Sequence, residues 1–80
     1  MSAFSSYKIE LSTVLKAIPF DTRLHLVKLG KDDGFDYNDY ITVGEVPFRL
    51  IEDRVMKIRQ DESPNTFYIE LFNKELEYEE

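Results

Sequence analysis

The sequence predicts an α+β fold, with a short N-terminal helix packed on an antiparallel sheet of about four strands and a short helix between strands two and three. Three observations predict it. Residues 11–18 place Leu11, Val14, Leu15 and Ile18 at spacings of three, four and seven, one face of a helix. Later runs at 23–29, 37–43, 56–60 and 66–72 are alternating or rich in β-branched and aromatic residues. Polar Gly-, Pro- and Asp-containing segments at 30–34 and 61–65 separate them, and runs joined by short turns favour antiparallel pairing.

The helix has Ser12 as its expected N-cap. Pro19 disfavours helical geometry at Ile18, so the segment closes after about two turns. A helix this short is unstable alone and must dock. Residues 23–29 alternate through Leu24 and Leu26, with His25 on the opposite side. The turn 30–34 and the strand 37–43, ending at Gly44, complete a hairpin. Val46-Pro47 opens the short helical piece, where Pro47 suits a first helical position and Phe48, Ile51 and Val55 share one side. A third strand runs to Gln60. The last alternates Phe67, Ile69 and Leu71 against Tyr68, Glu70 and Phe72.

Eighty residues leave room for one domain and one core, with residues 74–80 expected to fray. Ordering the chain costs roughly 1.5 kcal/mol per residue, so the core must be dense. No cysteine is present to help; six Phe and five Tyr are the compensation. Met1–Tyr7 lacks a basic region followed by an apolar run, and no stretch is long and apolar enough to span a bilayer, which favours a cytoplasmic protein.

Catalytic chemistry finds little support. His25 is the only imidazole, no Gly-x-Ser-x-Gly turn is present, and one His without Cys makes a poor zinc site. Gly30 and Gly34 flank Lys31, Asp32 and Asp33, and the aspartates would repel a phosphate. The acidic stretch 32–39 offers oxygen ligands for calcium but lacks the central Gly and closing Glu of a calcium loop. The expectation is therefore no enzyme, no metal and no cofactor.

Charge is segregated. Residues 61–80 hold one base against seven acids, residues 19–46 three bases against six, and residues 47–60 four bases against two. This balance disfavours direct nucleic-acid binding, where Lys and Arg must neutralise phosphates. It fits a protein partner with a basic surface, met by Asp32, Asp33, Asp36 and Asp39 and by a second strip of Glu75, Glu77 and Tyr78. Extended, Glu75, Glu77 and Glu79 would line carboxylates about 6.8 Å apart, like a row of phosphates. The alternative is self-association. With Phe67, Ile69 and Leu71 facing the helix, Tyr68 and Phe72 fall on the other sheet face, where an exposed aromatic patch would suit a partner or a homodimer.

Several segments occur in a telling order: Leu15-Lys16-Ala17-Ile18-Pro19, Asp21-Thr22-Arg23-Leu24, Tyr40-Ile41-Thr42-Val43-Gly44-Glu45-Val46-Pro47, Leu50-Ile51, Val55-Met56-Lys57-Ile58 and Tyr68-Ile69-Glu70-Leu71. In architecture and spacing over residues 9–72 the chain resembles small accessory proteins encoded by phages and mobile elements of Gram-positive bacteria. Anti-CRISPR proteins are among the small acidic members of that group. The resemblance implies an inhibitor of a host defence protein; no single motif residue carries it.

Overall fold

In the computed structural model, which describes residues 9–30 and 34–73, the chain forms one short helix and a four-stranded mixed sheet. The elements are α1 (Leu11–Leu15), β1 (Arg23–Leu29), β2 (Phe35–Thr42), β3 (Val55–Gln60) and β4 (Thr66–Leu71). Two 3-10 turns, Val43–Glu45 and Phe48–Leu50, lie between β2 and β3.

The strands are ordered β2-β1-β4-β3. β1 pairs antiparallel with β2, and β3 with β4, as two hairpins. The wholly antiparallel sheet expected from the sequence is corrected at its centre, where β1 and β4 run parallel, with Leu26 opposite Ile69 and His25 opposite Tyr68. The reason lies in the link between the hairpins. Residues 43–54 are too long for a hairpin loop and long enough to cross the sheet. They deliver β3 to the far edge, and β4 turns back between it and β1. Burial follows that order. The aliphatic strands β1 and β4 are central, whereas β2 and β3 are largely exposed.

The core is Leu11, Leu24, Leu26, Leu50, Ile69 and Leu71, all fully buried on one sheet face. Val14, Leu15 and Ile18 pack against it, so the expected helical face is the docked face. The helix itself is shorter than expected, five residues instead of eight. Beyond Leu15 the bonding tightens to Ala17 N–H donating to Val14 O at 3.0 Å, and Pro19 ends any continuation. Nor is Ser12 the N-cap; Glu10 is. The leading amides are satisfied by backbone instead, Leu11 N–H to Asp53 O at 2.8 Å and Ser12 N–H to Ile51 O at 2.9 Å.

The piece after Pro47 also differs. A single 3-10 turn replaces the expected helix, and Pro47 is its N-cap. It aims Leu50 inward and leaves Phe48 85% exposed, so Phe48 is not on the buried side with Ile51 and Val55. Phe67, on the core-facing side of β4, lies at the sheet's end and is exposed. Where β2 ends, Gly44 lies under the Phe20 ring; a Cβ there would fall 2.2 Å from Phe20 Cζ. No helix among the described residues is long and apolar enough to cross a membrane.

Candidate interaction surface

β2 is an edge strand, and its acids are the described part of the acidic stretch. The strand begins at Phe35, two residues earlier than the alternation suggests, so Asp36 joins Asp39 as a strand residue. Asp36 Oδ2 lies 3.7 Å from Lys28 Nζ, which also meets Asp53 Oδ2 at 2.9 Å. Asp39 is exposed, and its Oδ1 accepts the Tyr40 backbone N–H at 2.9 Å. Glu45, in the 3-10 turn, reaches back so that Oε1 accepts the Thr42 N–H at 2.9 Å. The sequence reading missed Glu45, although Thr42-Val43-Gly44-Glu45 has the Thr-x-x-Glu spacing that marks such a contact. Asp32, Asp33, Glu75, Glu77 and Tyr78 lie outside the described residues.

The negative field on this edge registers in Tyr37. Burial, chiefly, raises its hydroxyl pKa above the ordinary value; Asp39 and Glu45 add to the rise, while Arg49, 5.8 Å from the ring, opposes it. The far edge has the opposite sign. β2 holds Asp36 and Asp39 and no base, and β3 holds Lys57 and Arg59 and no acid. The sheet is thus polarised from an acidic β2 to a basic β3.

Between these edges, on the face away from the core, His25 binds three strands and a turn together. Its Nδ1 lies 3.0 Å from Asp61 Oδ1 and its Nε2 2.8 Å from Asn38 Oδ1. Its ring stacks on Tyr40 at 4.2 Å and meets the edge of Tyr68 at 5.3 Å. The Asp61 side chain is only 5% exposed. The hydrogen bond with His25, above all, holds its pKa below the ordinary carboxylate value, with help from the Ser63 amide and the Tyr40 hydroxyl, which lies 3.3 Å from Oδ2. Both ring nitrogens of His25 are engaged within the chain, so the arrangement braces the sheet. Asp61 is 36 residues away in sequence, and no spacing rule could have paired them.

The residues proposed for self-association are half-buried on this face. The Arg59 guanidinium sits 4.1 Å over the Tyr68 ring, and the Tyr68 hydroxyl donates to Glu70 Oε1 at 3.0 Å. Burial, and then Glu70, raises the Tyr68 pKa. Phe72, just past β4, is also half-buried and engaged. Among the described residues no three His, Cys, Asp or Glu side chains cluster as a metal site would need.

Compared with models of protein families, with curated proteins and with solved structures, the chain finds no match.

Proposed function

We propose that the chain is a non-enzymatic, acidic protein-binding module of the phage or mobile-element type that occupies the basic surface of a nucleic-acid-handling host protein in the cytoplasm, in the manner of an anti-CRISPR protein. The observation that carries this reading is the segregation of charge. Five acids without a base occupy residues 32–45; of the described ones, Asp36 and Asp39 lie on the edge strand β2 and Glu45 in the turn that follows it, across the sheet from Lys57 and Arg59 on β3. A basic groove built for phosphates is attracted to such an edge and is spared the like charges of β3. The net charge of −6 adds long-range steering.

The test is a pull-down from host extract with the wild type and with the variant Asp32→Asn, Asp33→Asn, Asp36→Asn, Asp39→Asn. The expected result is capture of a nucleic-acid-handling protein by the wild type alone, with competition by nucleic acid. Capture should weaken steeply with salt, because the screening length is only about 8 Å at physiological ionic strength. Equal capture by both chains, or a complex indifferent to salt, would sink the proposal.

A further inference from the structure

We infer that the outer edge of β2 is a strand-addition site for an extended basic segment of a partner protein, and that Asp39 and Glu45 hold it closed in the free chain. The inference rests on the acidic-surface reading above and specifies how that surface takes its partner.

Val43 N–H donates to Thr22 O at 3.0 Å, towards the β1 side of the strand. Successive amides of an extended strand alternate sides, so those of Thr42 and Tyr40 point away from β1, outward from the sheet. Each of these outward donors is held by a nearby carboxylate, Thr42 by Glu45 and Tyr40 by Asp39, both at 2.9 Å. An open edge is a template for another strand, and charged side chains folded onto it are a means of blunting it.

The other edge of the sheet shows the same chemistry completed within the chain. The extended lead-in at Ile9 and Glu10, just before α1, lies antiparallel along the start of β3. Val55 N–H donates to Ile9 O at 2.8 Å, Leu11 N–H donates to Asp53 O at 2.8 Å, and Glu10 bridges Arg54. Among the described residues β2 has no such covering segment; its outward donors at Tyr40 and Thr42 have only the two carboxylates.

Charge then selects the occupant. An incoming strand must displace Asp39 and Glu45 from the two amides and replace them with its own carbonyls. A basic strand also supplies Lys or Arg to the displaced carboxylates, whereas a neutral strand leaves them without partners. A second copy of β2 would bring further acids to the edge and be repelled.

The probe is a peptide of about nine residues alternating lysine and valine, long enough to pair along the strand. It is titrated into the isotopically labelled full chain at low salt. Binding should slow hydrogen exchange at the amides of Asn38, Tyr40 and Thr42. The same peptide N-methylated at alternate residues keeps its charge but loses its pairing donors, and should bind at least about tenfold more weakly. If the methylated peptide binds equally well without protecting those amides, strand addition is overturned while the acidic-surface reading stands. If neither peptide binds, both readings fail. The variants Asp39→Ala/Glu45→Ala and Asp39→Asn/Glu45→Gln should lose the preference for the lysine peptide over one with serine in place of lysine. The second pair is nearly isosteric and covers misfolding of the first. A preference kept at about tenfold in a folded variant would overturn the role given to the two carboxylates.

Discussion

His25 and Asp61 are the residues whose chemistry is most altered by folding. The hydrogen bond with His25 lowers the Asp61 pKa from its ordinary 3.8. A carboxyl with a depressed folded-state pKa contributes stability that is fully present above the unfolded value and is lost as pH falls through the folded one. The wild type should therefore lose stability progressively from near pH 3.8 downward. In that range its thermal midpoint should fall more steeply with pH than that of Asp61→Asn, which has no such carboxyl to protonate. Parallel slopes in an unfolding series would show that the contact contributes nothing. His25 was legible in sequence only as a histidine on the polar side of a strand. Its partners come from β2, β4 and the β3–β4 turn, and the topology that gathers them is not a property of residues near 25.

Among the elements, the strands were the most legible, because period-two alternation is a local property: β1 lies where its Leu24 and Leu26 predict. The link from β2 to β3 was the least legible. Pro47 and apolar residues at spacings of three and four fit a helix equally well, and the 3-10 turn reverses which residue is inside. Leu50→Ala should therefore cost about 2–5 kcal/mol in denaturant unfolding, the range for emptying a closed core site. Phe48→Ala, which the helical reading would make a core deletion, should stay within about 0.5 kcal/mol. Equal losses would restore the helical reading. The β3–β4 turn offers a second test, because Asn65 adopts a φ of 57°. That left-handed conformation suits Asn and Gly and penalises β-branched side chains. Asn65→Val should cost about 1–2 kcal/mol, whereas Asn65→Gly should be nearly neutral in the same experiment.

For the whole molecule, the parallel pairing of β1 with β4 turns a charge pattern along the chain into a charge axis across the sheet. In a simple meander the basic strand β3 would lie beside the acidic β2, and the two would neutralise each other. With two central aliphatic strands between them, they are held at opposite edges. That separation was not readable from segment charges, since it depends on which strands are neighbours. It also separates two explanations of binding to a basic partner, net charge and location of charge. Asp39→Lys makes the chain two units less negative, and Lys57→Glu makes it two units more negative. If net charge governs, a lysine oligomer should bind the first variant more weakly and the second more tightly by similar factors. If the β2 edge governs, Asp39→Lys should weaken binding about three- to tenfold and flatten its salt dependence, while Lys57→Glu, at the far edge, changes affinity by less than about twofold. Titrations at several salt concentrations distinguish the cases. A symmetric response of the two variants would remove the charge axis from the account of function and leave it a feature of the fold alone.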